Sequence, residues 1–191
     1  MDNNALAYNY EDERPYEIIN GEVRMMSAPN VNHTRINSTI DHIFDRYLEG
    51  KTCEPFNQTN VYLSDKDHLI PDEIIVCNPD IVEENGIRGI PDLVVEILSK
   101  STKNIDRNEK FYKYEKYGVK EYWIVDPFMK CVEVYQLKDG KFVKTCDAQY
   151  YSDSEIEFMN EKEKAAIIYE IKVSLYDDFV VKVKDIFSRV K

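Results

Sequence analysis

The spacing of apolar residues changes repeatedly along the chain, and each change marks an element. Residues 16–26 predict two short strands about Asn20-Gly21, a dipeptide that favours a tight hairpin turn. Within 31–48, Ile36, Ile40, Ile43, Phe44 and Tyr47 recur at helical spacing and predict a helix with one apolar face. Asn30 or Asn32 is placed to cap it, and Gly50 follows its end. Residues 56–63 predict a strand and 64–68 a polar turn. Residues 70–77 and 90–99 are apolar runs of strand length, separated by a loop carrying Asn78, Pro79, Asn85, Gly86 and Gly89. Ser101 and Thr102 can cap a helix that reaches Tyr117 and stops at Gly118. Residues 121–126 predict a strand closed by Pro127, and 131–137 with 142–146 predict a hairpin about Asp139-Gly140. Beyond it the pattern is less regular: a helix within 155–170, a second hairpin from 171–176 and 179–183, and a short terminal helix. Residues 1–14 predict a flexible lead-in, and 15–191 a single domain, which the length of 191 residues allows.

Two of these apolar runs are interrupted by carboxylates. One is Ile90-Pro91-Asp92-Leu93-Val94-Val95-Glu96-Ile97-Leu98-Ser99, and the other is Leu69-Ile70-Pro71-Asp72-Glu73-Ile74-Ile75-Val76-Cys77. An ionised carboxylate inside a strand is costly unless something pairs with it, and a divalent metal is one such partner. Asp92, Val94 and Glu96 share a strand face, but Asp92 and Glu96 lie about 13 Å apart in a regular strand. That is too far for both to bind one ion. If the two runs are antiparallel, the start of the first approaches the end of the second. Asp72 then meets Glu96, the preferred metal pair, and Asp92, nearer the strand entrance, joins the catalytic set as a supporting or structural acid, unless a bulge reverses that choice. Oxygen ligands of this kind suit Mg²⁺ or Mn²⁺ rather than Zn²⁺. His33, His42 and His68 show no zinc spacing, and His33 reads as a capping or packing residue.

Charge narrows the partners. The chain carries a net charge of −11, which argues against non-specific coating of nucleic acid. Residues 100–120 nevertheless hold seven basic residues against three acidic ones. Lys103, Arg107, Lys110 and Tyr114 recur at helical spacing. This helix is expected either to be a solvated face or to line a groove for a phosphate backbone, with Lys103 and Arg107 contacting substrate and Lys110 exposed to the groove as the catalytic cation. Cys53, Cys77, Cys131 and Cys146 show no CxxC, and buried thiols in a reducing cytosol are the expectation. No apolar run reaches the roughly 18 residues of a membrane helix, and the first residues lack a signal pattern, so a cytoplasmic protein is expected.

The order of these residues resembles a known family. The segment 90–102, then Asp106-Arg107-Asn108-Glu109-Lys110, Lys113-Tyr114, Tyr117-Gly118-Val119 and Glu121-Tyr122-Trp123-Ile124-Val125-Asp126-Pro127 is similar to the signature block of the Uma-two family of bacterial restriction endonucleases. Glu17 to Glu22, Pro29, His33 and Pro71-Asp72 also fall where such proteins place similar features. The resemblance implies an α/β, restriction-endonuclease-like PD-(D/E)XK fold. Its central mixed sheet would be flanked by helices, with a hairpin before it and β-hairpins after it. It implies a Mg²⁺- or Mn²⁺-dependent endonuclease acting on DNA as a homodimer. Asp72 would be the first acid of the motif and Glu96 the second. The motif's lysine should follow two residues later, yet Leu98 stands there, and Val94 does if Asp92 is taken as the second acid. A neighbouring helix can supply the lysine, which points again to Lys110. The alternative is a non-catalytic member of the same fold that serves binding or assembly. A two-carboxylate sugar hydrolase fits less well, because the lysine-rich helix favours phosphate.

Overall fold

A computed structural model describes residues 15–99 and 104–191. The lead-in 1–14, the caps Ser101 and Thr102, and Lys103 lie outside the described residues. Strands β1 (Tyr16–Ile19) and β2 (Glu22–Met25) form the first hairpin, with Asn20 and Gly21 at φ of 56° and 84° in its turn. Helix α1 (Val31–Leu48) follows; the Asn30 side chain accepts hydrogen bonds from the amides of Asn32 and His33 at its start. Then come β3 (Glu54–Asn57), β4 (Val61–Ser64), β5 (Asp67–Leu69), β6 (Glu73–Val76), a 3₁₀ turn (Pro79–Ile81), β7 (Val82–Glu83), β8 (Gly86–Ile87) and β9 (Leu93–Ile97). A π-helical turn (Ile105–Lys110) runs into α2 (Phe111–Tyr117), which Gly118 ends in a left-handed conformation. Strands β10 (Glu121–Asp126), β11 (Cys131–Lys138) and β12 (Lys141–Gln149) form a meander. The chain closes with α3 (Asp153–Glu157), α4 (Glu161–Ala165), the hairpin β13 (Glu170–Lys172) and β14 (Val180–Lys182), and α5 (Val183–Phe187).

The central sheet has the order β12-β11-β10-β9-β6-β3. Its β9–β10 pair is parallel and its other pairs are antiparallel, so the expected mixed α/β sheet is present. Strand alternation divides its side chains between two cores. Leu93, Val95 and Ile97 face α1, where they pack with Ile36, Ile40, Phe44 and Trp123 and with the terminal hairpin and α5. Val94 and Leu98 face the other way, toward Tyr114 of α2 and toward Ile19, Val61 and Leu69 of the second sheet. Burial on both faces explains why β9 reads as an almost unbroken apolar run.

Three expectations are corrected. The strand predicted over 56–63 is two strands, because Gln58 at φ 43° turns the chain from the central sheet into a second six-stranded sheet, ordered β2-β1-β5-β4-β8-β7. The helix predicted within 155–170 is broken at Asn160, whose side chain starts a new capping box with Glu163. The four cysteines are not all thiols: Cys53 and Cys77 form a disulfide. Glu54 pairs with Val76 in the β3–β6 ladder, so the next pair outward is Cys53 and Cys77, with Cα atoms 3.9 Å apart. Strand pairing brings together two cysteines whose separation of 24 residues hides the relationship. Cys131 and Cys146 are free. Among the described residues no helix is long and apolar enough to cross a membrane.

Candidate active site

The site is built on the seam between β6 and β9. These strands are antiparallel, with Glu73 opposite Val95 and Ile74 opposite Val94. Continuing that register one step sets Asp72 opposite Glu96. The Asp72 carboxylate is fixed from two sides: the Ile97 amide donates to Oδ2 at 2.7 Å, and His33 Nε2 of α1 lies 3.2 Å from Oδ1. Both side chains are buried. Glu96 points to the opposite face from Val95, toward α2, and is buried there.

A lysine from the following helix meets Glu96. Lys110 Nζ donates to Oε1 at 3.0 Å and to Oε2 at 3.1 Å. The same ammonium lies 2.8 Å from Oε1 of Glu17 on β1 and 3.6 Å from Oδ1 of Asp106. Tyr114 completes the shell by donating from its hydroxyl to Glu96 Oε1 at 2.8 Å. The wide π turn keeps Asp106 and Lys110 on one side of the helix, and such turns are frequent at functional sites. Glu17 is held in place by its own hydrogen bond, since the Ile70 amide donates to its Oε1 at 2.9 Å.

The electrostatics follow from this burial. Removal from water pushes the Glu96 carboxyl well above its usual range; Lys110 opposes the shift, while Asp106, Asp72 and Glu17 add to it. Burial would lower the Lys110 ammonium, but Glu96, Glu17 and Asp106 outweigh it and hold Lys110 well above its ordinary value. Burial, followed by the Glu96 charge, raises the Tyr114 hydroxyl. Three carboxyl groups, those of Glu17, Glu96 and Asp106, thus surround one ammonium, and Asp72 adds its charge beside Glu96.

Asp72, Glu96 and Lys110 are therefore brought into one neighbourhood, although Lys110 is only 3 % exposed and not the groove-facing residue expected. Among the described residues, three other basic side chains of this segment are held by carboxylates. Arg107 is held 2.8 Å from Glu133 of β11, Lys113 reaches Asp67 at 2.8 Å, and Lys120 reaches Asp92 at 2.6 Å. Asp92 sits at the far end of β9, where its other oxygen accepts from the Cys77 amide at 2.7 Å. These cations tie α2 and its flanks to the sheets.

Glu17, Asp106 and His33 carry no assigned role at the site on sequence grounds. Asp106 and Lys110 do carry a readable signal, an acid and a base four positions apart on a helix. Glu17 and His33 carry only the family resemblance and no local signal, since their contacts span 93 and 39 positions and depend on the packing of β1 and α1 around the sheet.

The donor set fits a hard divalent ion in kind and charge. Asp72 and Glu96 offer oxygens only, and the acids outnumber the ammonium. Among the described residues, however, no three His, Cys, Asp or Glu side chains converge as a ready-made metal cage. Mg²⁺ is commonly held by one or two carboxylates, with water and substrate phosphate completing its shell.

Comparison with known proteins agrees with this architecture. The chain is 28% identical over 111 residues to the uncharacterized protein slr1290 of Synechocystis sp., a match spanning 57% of this chain and 58% of that protein. It is 25% identical over 125 residues to the uncharacterized protein sll1609 of the same organism, across 63% of this chain and 71% of that protein. The chain thus spans less than two thirds of the first relative's length. The fold is similar to a solved structure from Anabaena variabilis ATCC 29413 described as a "putative nuclease belonging to DUF820", with a TM-score of 0.70 at 20% identity and with 92% and 91% of the two chains covered. The profile of the Uma2 family, described as "Putative restriction endonuclease", matches residues 4–156. That match covers most of the chain and both acid-bearing strands, so the chain belongs to the Uma2 family and has the restriction-endonuclease-like fold of the PD-(D/E)XK superfamily.

Proposed function

We propose that this protein is a Mg²⁺- or Mn²⁺-dependent endonuclease that hydrolyses DNA phosphodiester bonds. The observation that carries the reading is Lys110 Nζ at 3.0 Å from Glu96, in the register of Asp72, supplied by a helix where the strand offers Leu98. In this reading Asp72 and Glu96 hold the ion. When bound, the ion polarises the phosphoryl oxygen and makes its water a better nucleophile. His33 and the Ile97 amide orient Asp72, while Tyr114 orients Glu96. Lys110 remains charged and donates toward negative charge developing on the phosphate, in a water-poor position where such a donor is strongest. Asp92 supports the strand entrance, and Lys103 and Arg107 remain proposed backbone contacts. A cytoplasmic homodimer that cuts one strand per copy completes the reading; sedimentation as a monomer at tens of micromolar would remove the dimer from it.

A second reading has its own observation. Both Glu96 oxygens are already engaged by Lys110. This arrangement also suits a non-catalytic member of the fold, in which the acids hold the lysine and the protein serves binding or assembly. Cleavage of plasmid and single-stranded DNA in Mg²⁺ or Mn²⁺ decides between them. The nuclease reading expects metal-dependent cleavage that Glu96→Ala abolishes. Cleavage absent from the folded wild type, or equal in both proteins, would support the second reading.

A further inference from the structure

Arg107, Lys110, Lys113 and Lys120 each face a carboxylate, so a phosphate backbone held near them gains from further positive charge. The described residues offer another concentration of it. A groove of about 660 Å³ lies between the outer face of α1 and α5, and Arg35, Arg46 and Arg189 line it. Ser38, Thr39 and His42 lie between the first two arginines. At 100° per residue, Arg35, Ser38, Thr39, His42 and Arg46 form a single stripe along α1, and each can donate a hydrogen bond. Asp185 is the one carboxylate on the lining among the described residues. Arg35 donates to the Arg189 carbonyl at 3.4 Å, and no ion pair of Arg35, Arg46 or Arg189 is present among the described residues. Three such guanidinium groups gathered on a chain of net charge −11 form a local field of opposite sign, suited to a polyanion.

We propose that this groove binds the phosphodiester backbone of duplex DNA flanking the site. The choice of DNA rests on the nuclease reading; the choice of a polymer rests on geometry. Arg35 and Arg46 are about 16 Å apart along the helix axis, at 1.5 Å per residue. A single phosphate cannot touch both, whereas one strand of a duplex rises about 3.4 Å per base pair and presents several phosphates over that span. The groove also begins on the helix turn that reaches the site from the opposite, core-facing side of α1. Pro29 and Val31 line its end at the start of α1, and His33, on the same first turn, contacts Asp72.

The test is binding of the full chain to a fluorescent 20-base-pair duplex by anisotropy. EDTA is present so that metal-dependent cleavage cannot proceed, and salt is varied. Arg46→Gln/Arg189→Gln removes two charges and keeps most of each stem; adding Arg35→Gln removes the third. The double variant is expected to lose at least tenfold in affinity. Its plot of log affinity against log salt should flatten by about 0.9 for each phosphate that the protein no longer neutralises. Circular dichroism confirms that the variants are folded. Unchanged affinity and slope in the folded variants, or no binding by the wild type at low salt, overturns the groove. Separate cleavage assays keep the two readings apart. A wild type that cleaves while the variants bind normally sinks the groove alone. A wild type that never cleaves, but whose DNA binding disappears with the arginines, sinks the nuclease reading and leaves the groove standing.

Discussion

Lys110 and Glu96 lie 14 residues apart in the chain, and the ammonium of one bridges both oxygens of the other at 3.0 and 3.1 Å. Glu96 lies within a strand buried on both faces, while Lys110 ends a π turn, so the pair spans the joint between sheet and helix. Leu98, two residues beyond Glu96, is 1 % exposed and packs in the core on the same face. The charge that the strand would need beside Glu96 is thus delivered from outside the sheet.

This makes Lys110 a structural residue as well as a proposed catalytic one. Lys110→Met would leave Glu17, Glu96 and Asp106 without their shared counter-charge. Stability is expected to fall by about 3–5 kcal/mol at neutral pH, the scale for a buried pair that loses one partner. Without Lys110 to oppose it, burial pushes the Glu96 carboxyl still further up, so the variant loses stability as pH rises and regains it as pH falls. Melting curves from pH 5 to 8 check this; a variant as stable as wild type across that range would show the acids to be indifferent to Lys110. Cleavage by the variant must be referred to its folded fraction.

Glu73 lies beside Asp72 but faces α1, fully buried and with neither oxygen hydrogen-bonded. Burial, with Asp41 and Asp72 nearby, raises its carboxyl to about 9. The folded value exceeds the unfolded one, so Glu73 costs no stability at low pH and a growing amount between about 4.5 and 9. Glu73→Gln mimics the protonated acid and is expected to stabilise the fold by about 3 kcal/mol at pH 7, with almost no effect near pH 4.5. A gain independent of pH, or a loss at pH 8, would contradict the assignment.

The Cys53–Cys77 bridge closes a loop between two paired strands. Loop entropy over a separation of 24 residues gives a stabilisation of about 3 kcal/mol. Dithiothreitol, or Cys53→Ser/Cys77→Ser, should lower the melting temperature correspondingly, and thiol titration under denaturing conditions should count two free cysteines before reduction and four after. Four before reduction would refute the bridge.

Asp72 and Asp92 should separate in their effects. Asp92 accepts from the Cys77 amide and pairs with Lys120, so Asp92→Ala is expected to cost about 1–3 kcal/mol while the folded protein keeps its cleavage. Asp72→Asn should instead remove the stabilisation that Mn²⁺ gives the wild type through binding to the folded state. A Mn²⁺ shift that survives in Asp72→Asn and vanishes in Asp92→Ala would reverse the two roles.

Much of the central architecture was legible because its signals are local. The α1 stripe, the Asn20-Gly21 and Asp139-Gly140 turns and the Gly118 stop are each specified within a few residues. The Asp72–Glu96 approach was also legible, since antiparallel pairing of two Pro-Asp strands leaves few registers. Burial of Lys110 was not, because it depends on Glu17 arriving from β1 and on α2 being pressed against the second sheet. The Arg107 ion pair was not legible for a related reason. The helical spacing of Arg107 to Lys110 suggests a shared face, but the π turn widens the helix there and Glu133 lies across from it. The disulfide was hidden by distance in sequence, and the break at Gln58 by a positive φ in a residue that rarely adopts one.

Placing the lysine on a helix and the acid on a strand divides two duties between two residues. Position 98 is left to answer for cohesion of the sheet, and position 110 for the charge balance beside Glu96. In a strand that carries its own lysine, one residue must satisfy both demands at once. Here either can be altered while the other is held constant, so the contribution of charge to this centre can be measured separately from the packing that surrounds it.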